Sequence, residues 1–425
     1  MKKTWPLLVV LASPVVYADD PFADPFADPF ADEPIAIEDN IHQSRIELKS
    51  YYQNNNLRSN HPLNTGQFEF NDEFRFVGLD ASLESQWSDQ WKTRARVYSR
   101  YMVSSAQTNN KEEIDTYLLE GLLQWQSLDQ NLVIELGRNT PKWSNGYNYD
   151  IANMLQPNRS LPNIDQDNPL QAKGWDMLSA QYYSGHWSMA GYLVKSDSDN
   201  PNIDSEAVLR LGYQNDHEFS FLIHKLDQGK LAYGATFSTL LGDETTIRAE
   251  WTRHPFRQTN LLDGGERTHY QRLVLGTTYA AIDGWSLTGE FFYNQHGAND
   301  NQWQQITELA ATSADLLKTG QTQNVDQDRY LAGAGLGLMA QGWSRQRYGS
   351  LMFMSGQSED LWQLRLGSQI SLDDSSRLHR VEVLKSINDN LSTRLEVQLF
   401  EGCELCEFGL NPNQSNVRFT ASWLF

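Results

Sequence analysis

Long hydrophobic runs are scarce in this sequence of 425 residues. After residue 18 there is no stretch of about 18 or more consecutive apolar residues, which excludes a membrane-spanning helix from that part of the chain. Familiar enzyme signatures are missing as well. The sequence has no Gly-x-Ser-x-Gly, no phosphate-binding loop and no His-Glu-x-x-His, and its nine histidines are scattered. We therefore expect neither an enzyme nor a bound cofactor.

Cysteine is also scarce, with only Cys403 and Cys406 in the whole sequence. A zinc site of the common kind needs a second cysteine pair, so we expect no metal, with a weak site at Glu404 and Glu407 as the alternative. Haem attachment needs a histidine directly after the second cysteine, where Glu407 stands. In an oxidising compartment the two cysteines predict a local disulfide.

Basic residues are outnumbered, with 34 Lys and Arg against 54 Asp and Glu, and the formal net charge is −20. We expect no nucleic-acid partner. Eight of the acids lie between Asp19 and Asp39, a stretch without Lys or Arg. The overall acidity therefore belongs in large part to one segment and does not by itself predict a preference for cations.

That acidic segment repeats the unit Pro-Phe-Ala-Asp three times, starting at Pro21. Proline at every fourth residue excludes a helix or a central strand, so residues 19–40 are predicted to form a disordered acidic tail in the periplasm. One interpretation is a solvated spacer. Another is a docking peptide for a periplasmic or inner-membrane transport partner, with avidity from repetition. The docking anchors would be Phe22, Phe26 and Phe30.

The first eighteen residues have the layout of an export signal. Lys2 and Lys3 precede an apolar run from Trp5 to Val16, and a cut after Ala18 would follow a suitable pattern. Residues 1–18 are therefore predicted to be a secretory signal peptide. In a bacterium, an exported chain without a membrane helix is secreted, periplasmic or inserted in the outer membrane.

The last ten residues alternate in polarity. Strand side chains alternate between faces, so Val417, Phe419, Ala421, Trp423 and Phe425 share one apolar face. A final strand that closes on a terminal Phe resembles the C-terminal signal of bacterial outer-membrane β-barrels. This resemblance implies that the barrel-insertion machinery recognises Trp423 and Phe425. A secreted soluble β protein would show the same alternation and is the alternative.

The remainder, residues 41–425, consists of strand-like segments of about ten residues with alternating short and long connections. The short turns centre on Asp89, Gln130, Gly185, Asp243, Asp283 and Asp389. The long connections lie near residues 54–72, 144–173, 257–268, 298–327 and 403–415. This arrangement predicts an all-β fold, a transmembrane antiparallel barrel surrounded by outer-membrane lipid, with short periplasmic turns and long extracellular loops.

Nineteen segments qualify as strands, whereas single-chain bacterial barrels normally have an even number. We therefore predict eighteen strands, with sixteen as the alternative. Residues 328–376 are the least clear region, because Arg329 to Met339 is rich in glycine. The spacing of apolar residues from Ile306 to Lys318 predicts a short helix in a long outer loop.

The polar faces of the predicted strands would line the lumen. One strand carries a basic ladder of Lys92, Arg94, Arg96 and Arg100, which faces Asp80 and Glu84 across a short turn. The further residues predicted to set selectivity are Arg248, Arg272 and Arg394. The other inward charges are Arg210, Arg365, Arg418, Glu120, Glu135, Glu250, Glu290 and Glu396. These charges form either a lattice of ion pairs that stiffens the lumen or a basic constriction that selects anions.

The stretch Gly137-Arg138-Asn139-Thr140-Pro141-Lys142-Trp143-Ser144-Asn145-Gly146-Tyr147, followed by Asn153, Leu155 and Pro157, ends a strand and opens the longest loop. It resembles the Gly-Arg…Trp-Gly-x-Gly…Asn-x-Leu-x-Pro stretch of the alginate-export and DUF1302-type porin-like families, with Ser144 where those families carry Gly. The resemblance implies an eighteen-stranded barrel whose long loop folds inward to narrow the pore.

The sequence thus predicts a bacterial outer-membrane channel that passes a polar or anionic solute, or an export substrate, through a lumen bearing arginines. The first alternative is an outer-membrane subunit of an envelope export or lipid-handling system, recruited through its N-terminal tail. The second alternative is the secreted soluble β protein.

Overall fold

Eighteen antiparallel strands form one sheet that closes on itself. The computed structural model describes residues 42–63, 70–105, 110–155, 173–195, 206–226, 229–255, 269–341, 344–356 and 361–425. The predicted signal peptide, the acidic tail and its Phe22, Phe26 and Phe30 lie outside the described residues. The strands are β1 His42–Leu57, β2 Glu73–Ser88, β3 Trp91–Ser105, β4 Asn110–Gln126, β5 Leu132–Asn139, β6 Trp175–Ser184, β7 Trp187–Val194, β8 Glu206–Gln214, β9 His217–Lys225, β10 Leu231–Leu241, β11 Thr245–Pro255, β12 His269–Ala280, β13 Ser286–Asn294, β14 Arg347–Ser355, β15 Trp362–Ser371, β16 Arg377–Asn388, β17 Leu391–Glu401 and β18 Asn413–Leu424.

Each strand pairs with the next one along the chain, and β18 pairs back onto β1. At this closing seam Leu48 lies opposite Trp423 and Tyr51 lies opposite Thr420. Closure gives every strand two hydrogen-bonded neighbours, which is the condition for a sheet to exist in lipid. The predicted eighteen-stranded barrel is confirmed, and the sixteen-stranded alternative is wrong.

The glycine-rich stretch Arg329 to Met339, in the region where the strand count was least clear, is helical. It belongs to α2, Val325–Gln341, which follows α1, Asp300–Thr319, in the long connection between β13 and β14. Asn324 caps the start of α2 by accepting from the backbone N–H of Gln327. The buried Ala332 packs on Leu317 of α1, so the small residues serve helix packing and not a strand.

Helix α1 contains the predicted segment from Ile306 to Lys318 and begins one and a half turns earlier. Asn299 and Gln302 form a capping box at its start, and Gly320 ends it in the left-handed conformation. Trp303 fixes the helix to the loop after β17, because its indole N–H donates to the backbone oxygen of Leu405 at 2.8 Å. Within the described part of the chain, neither helix is long and apolar enough to cross a membrane.

The connections alternate in length, as predicted. All six predicted short turns join neighbouring strands at one end of the barrel. The sequence analysis missed two more connections at that end, one at Asn215 and Asp216 and one between Ser355 of β14 and Trp362 of β15. Gly185, Gly242 and Gly284 adopt positive φ angles in three of these turns. The long loops lie at the other end. By the general rule for such barrels, the short turns face the periplasm and the long loops face the outside.

The outer surface of the barrel is apolar. Leu79, Leu83, Val417 and Phe419 each leave between 44% and 49% of their surface exposed, and they alternate with inward polar neighbours. Trp423 is 47% exposed and lies outside the barrel wall, not in a sandwich core. An outer surface that exposes so many large apolar side chains is stable in contact with lipid and unstable in contact with water. The secreted soluble alternative is therefore wrong.

Candidate functional site

The loop that follows β5 folds into the barrel. We call its described part, Trp143–Leu155, the inner loop. Glu250 on β11 holds it through both carboxylate oxygens. Oε1 accepts from the hydroxyl of Ser144 at 2.6 Å and from the backbone N–H of Gly146 at 2.7 Å, and Oε2 accepts from the N–H of Ala152 at 3.1 Å. Glu250 is fully buried in this position.

A second carboxylate, Glu290 on β13, holds the next part of the inner loop. It accepts from the backbone N–H groups of Tyr147 and Asn148, each at 2.7 Å. Its Oε1 also lies 3.3 Å from Nε of Arg248 on β11. Backbone amides that converge on a buried carboxylate satisfy its charge locally, so the two acids fix the path of the loop.

Apolar contacts attach the inner loop on both sides of these acids. Trp143 and Leu155 pack on side chains of β6 to β9, including Tyr192, whose ring centre is 5.0 Å from that of Trp143. Tyr149 stacks on Phe292 of β13 at 4.7 Å and accepts from Gln369 of β15 at 3.0 Å. Among the described residues, the inner loop contacts the inner wall from β6 to β15, where it reaches Gln369. We call the wall that runs from Arg365 on β15 through β18 and β1 to β4 the uncovered wall.

Two glycines of the motif that opens this loop, Gly137 and Gly146, lie where the backbone leaves no room for a side chain. Gly137 has a φ of 133°, and a Cβ there would lie 2.1 Å from the backbone oxygen of Gly121. A Cβ on Gly146 would lie 2.1 Å from the backbone oxygen of Tyr149. Both positions exclude a side chain unless the backbone moves, so the motif shapes the turn into the lumen.

Four arginines line the lumen on β15 to β18: Arg365, Arg380, Arg394 and Arg418. We call them the arginine face. Beneath them lie two glutamates, Glu382 and Glu396, whose side chains are only 2% exposed. Nη2 of Arg380 donates to both, at 2.8 and 3.0 Å. Because the acids are buried and three of the arginines stay 13% to 20% exposed, this wall presents positive charge to the lumen.

The arginine face and the tip of the inner loop lie at the same level of the barrel. Arg365 stands three residues from the periplasmic end of β15, and Arg394 three residues from that end of β17. The hydroxyl of Tyr147 reaches Sδ of Met354, next to the last residue of β14 at the same end. The inner loop therefore reaches the periplasmic half of the barrel, where Arg365 and Arg394 lie.

The predicted basic ladder lies inside the barrel, but it is matched by acids of similar exposure. Arg96 pairs with Asp80 at 2.7 Å and Arg100 with Asp115 at 2.8 Å. Arg94 lies 3.1 Å from Glu84, which also contacts Lys92. We call this part of the lumen, on β2 to β4, the paired wall. Its charges form a lattice of ion pairs, which is one of the two arrangements predicted for the lumen charges.

Arg248 and Arg272, which the sequence analysis placed among the selectivity residues, are buried. Arg248 is 1% exposed, contacts Glu290 and donates to Thr278 at 2.9 Å. Arg272 is 6% exposed and donates to Asn294 at 3.3 Å. Their positions in the wall covered by the inner loop suit them to support the loop and not to contact a passing solute.

Arg380 and Glu382 are among the lumen charges that the sequence analysis missed, as is Asp115, the partner of Arg100. The segment Arg380-Val381-Glu382-Val383 alternates in polarity like the strands that were recognised, so the signal was present. It follows directly after the region 328–376, where the strand count was unclear, and its inward residues were not assigned.

The outer half of the uncovered wall contains a cavity of about 420 Å³. It opens between β1, β2, β3 and β18, and Tyr51, Phe74, Arg100 and Arg418 contribute to its lining. The guanidinium of Arg418 lies 4.9 Å from the ring centre of Tyr51.

Cys403 and Cys406 form a disulfide in the loop after β17. The same loop carries Glu407, which accepts from the hydroxyl of Tyr348 at 2.5 Å and from the backbone N–H of Ser344 at 3.0 Å. Burial raises the pKa of Glu407 to about 7, and the nearby Asp374 adds to the shift. Among the described residues, no group of three or more His, Cys, Asp or Glu side chains is placed to hold a metal ion.

No protein-family model matches the chain, and no curated protein matches it. Solved structures of outer-membrane porins do match over nearly the whole length. Acinetobacter baumannii OccAB4 is 7% identical with a TM-score of 0.53, and the match covers 91% of this chain and 98% of that one. Pseudomonas aeruginosa OccK8 (OprE) is 8% identical with a TM-score of 0.52, covering 90% and 98%. Pseudomonas aeruginosa OprD is 8% identical with a TM-score of 0.51, covering 91% and 96%.

At such low identity these matches establish the fold. Together with the closed sheet and the apolar outer surface, they make this chain an eighteen-stranded β-barrel of the bacterial outer membrane.

Proposed function

We propose that the protein is a channel that conducts small polar solutes across the outer membrane and favours anions. The observation that carries this proposal is the pairing of the inner loop with the arginine face. The loop covers the wall from β6 to β15, and the wall left open presents arginines above buried glutamates. A solute that passes the level of Tyr147 meets that positive wall, which attracts anions and repels cations.

The experiment is single-channel recording of the purified protein in a planar bilayer, with a salt gradient to measure ionic preference. We expect discrete conductance steps and a reversal potential on the anion side. A protein that inserts without conducting, or that prefers cations, would refute the proposal. The recording should be repeated without residues 19–40, so that an effect of the acidic tail is separated from that of the barrel.

A second candidate function is supported by the position of β1. This strand starts at His42 at the end of the barrel that carries the short turns, which is the periplasmic end by the general rule for such barrels. That location suits recruitment of a periplasmic or inner-membrane transport partner, as expected for an envelope export or lipid-handling system.

The two candidates are separated by a pull-down from envelope extracts. The bait is the full chain, and the control carries Phe22→Ala, Phe26→Ala and Phe30→Ala. A partner retained by the native chain and lost by the control would support recruitment through the tail. If both baits retain the same proteins, recruitment through these phenylalanines is ruled out while the channel proposal is unaffected.

A further inference from the structure

The cavity of about 420 Å³ between β1, β2, β3 and β18, which we call the outer cavity, combines apolar and polar surface. Phe74, Met102 and Pro412 contribute apolar surface, and Asn71 and Asn413 contribute side-chain amides. Each of these five residues is half-buried. The volume lies in the range of about 300–1,000 Å³ that is usual for small-molecule sites, and a few polar groups among apolar side chains are the usual lining of such sites.

The amides of Asn71 and Asn413 are available to a ligand. Within the described residues, neither side chain has a hydrogen-bond partner; Asn71 accepts from Asn55, and Asn413 donates to Asn411, through backbone atoms. A side-chain amide donates and accepts hydrogen bonds, as a hydroxyl group does. Two unpartnered amides in one cavity therefore suit a ligand that carries several hydroxyls.

The charge of Arg100, which also lines the outer cavity, is matched by acids of β4. Its Nη2 lies 2.8 Å from Asp115 and 4.0 Å from Glu113. Lys111 in turn pairs with Glu113. Two basic and two acidic side chains balance here, so this part of the lining favours neither anions nor cations.

Arg418 is the other charged residue among the described lining residues, and it is 3% exposed. Its guanidinium donates to Oε1 of Gln53 from Nε at 3.0 Å and from Nη2 at 2.7 Å, and it lies over the ring of Tyr51. Glu396 stands opposite it on β17. A charged ligand loses its hydration on binding, and only an opposite charge offsets that loss, so the outer cavity suits an uncharged ligand.

We propose that the outer cavity binds a neutral sugar, of the size of a mono- or disaccharide, as it enters the channel. A sugar ring has a face of C–H groups, which fits the half-buried ring of Phe74, and a rim of hydroxyls, which fits Asn71 and Asn413. The inference rests on the proposed channel function and goes beyond it. It names a class of solute that the positive charge of the arginine face neither attracts nor repels.

The test is a titration of the purified full chain in detergent micelles with maltose, measured by saturation-transfer NMR. We expect saturable binding. Phe74→Ala should weaken it roughly tenfold, because the apolar contact with the sugar ring is lost. Asn71→Ala with Asn413→Ala should weaken it roughly tenfold as well, because two hydrogen bonds are lost. Absence of binding by the native chain, or binding that both cavity variants retain, would overturn the proposal.

Two further variants separate contact with the sugar from a structural role. Phe74→Trp keeps a flat apolar ring and should bind maltose at least as tightly as the native chain, whereas a residue needed only for packing would not tolerate the larger ring. Phe419→Ala on β18 is the matched control, because Phe419 lies on the outer surface with 49% of its area exposed. Its affinity for maltose should equal that of the native chain.

Benzoate is the comparison ligand, since it has an aromatic ring and a negative charge but no hydroxyls. Its binding to the native chain should be weaker than that of maltose, because the charges of the lining are already matched. Tighter binding of benzoate, lost in Arg100→Gln, would make the outer cavity an anion site and refute the proposal.

Binding and conduction are measured separately, so the two proposals can fail separately. A chain that conducts and prefers anions without binding maltose would refute the sugar site alone, and a chain that binds maltose without conducting would refute the channel alone. Where both hold, maltose added on the extracellular side should interrupt the single-channel current. Phe74→Ala should shorten the interruptions roughly tenfold, because changes of affinity within one site act mainly on the dissociation rate. Interruptions of unchanged length in that variant would place the sugar elsewhere.

Discussion

The two charged walls of the lumen contain similar residues and differ in how their acids are placed. On the paired wall, Glu84 is 33% exposed and its partner Arg94 is 41% exposed, so both charges reach the lumen. On the arginine face, Glu382 is 2% exposed and Arg380 is 13% exposed. The count differs as well, because four arginines lie over two glutamates on the arginine face, whereas the basic residues of the paired wall meet a similar number of acids. The number and the depth of the acids together leave one wall electrically balanced and the other positive.

The largest expected effect is a difference in stability between the walls. Arg380→Ala removes the donor that two buried glutamates share, and breaking a buried ion pair typically costs about 3–5 kcal/mol. Arg96→Ala on the paired wall removes a half-exposed pair and should cost about 0–1 kcal/mol. Urea unfolding of both variants in lipid bilayers, followed by tryptophan fluorescence, measures the difference. Equal losses would show that the walls are energetically alike.

The second effect concerns ionic preference. Arg365→Gln with Arg394→Gln should lower the ratio of anion to cation permeability severalfold, since each charge contributes roughly threefold at about 7 Å in water. The matched control is Arg94→Gln with Glu84→Gln, which removes one charge of each sign from the paired wall. The reversal potential of the control should stay near that of the native protein. A larger shift in the control would place selectivity on the paired wall.

The third effect is a dependence on salt. The Debye length falls from about 10 Å at 0.1 M salt to about 3 Å at 1 M, so the attraction of the arginine face should be largely screened at high salt. We expect the anion preference to fall steadily over that range, measured from reversal potentials at a constant gradient. A preference that persists at 1 M would indicate selection by direct contact and not by the field of the wall.

The last effect lies outside both walls, in the extracellular loop that carries Glu407, and it is confined to that loop. The pKa of Glu407 is raised from 4.5 to about 7, so the folded loop holds this proton more tightly than the unfolded loop. The stabilisation is complete below pH 4.5 and is lost as the pH rises towards about 7, by about 3 kcal/mol at most. Hydrogen exchange of residues 402–412 should therefore show more protection at pH 5 than at pH 8, after correction for intrinsic rates.

The control for this prediction is Glu407→Gln, which cannot titrate. Its protection from exchange should be the same at both pH values. Protection in the native protein that increases with pH would contradict the assignment of the effect to Glu407.

The barrel was well predicted because the alternation of polar and apolar residues along a strand is a local property of the sequence. Alternation in polarity places Val417 and Phe419 outside and Arg418 inside from the sequence alone, and the structure agrees. The helix over Arg329 to Met339 was missed, and the reason is again a local property of the sequence. Glycine and alanine suit a helix that packs closely on another helix, and the cap at Asn324 was the available signal.

The site was less predictable, because burial depends on partners that are distant in sequence. Glu250 and Arg248 were correctly placed inside, but only the path of the inner loop shows that both are covered. The charge of Arg380 acts on the lumen because Glu382 and Glu396 lie deeper, and no pattern within one strand indicates depth. Sequence periodicity gives the direction of a side chain and leaves its neighbours undetermined.

The pairing of β1 with β18 determines when the barrel can close during synthesis and folding. The amide of Phe425 donates to the carbonyl of Ile46 at 2.9 Å, so the two ends of the sheet can meet only when synthesis has finished. Contacts between residues so far apart in sequence form slowly. Until β1 and β18 pair, both are unpaired edge strands that can pair with other chains. A truncated chain lacking β18 could not close the barrel, and its two unpaired edge strands would make it prone to aggregation even if the other seventeen strands paired correctly.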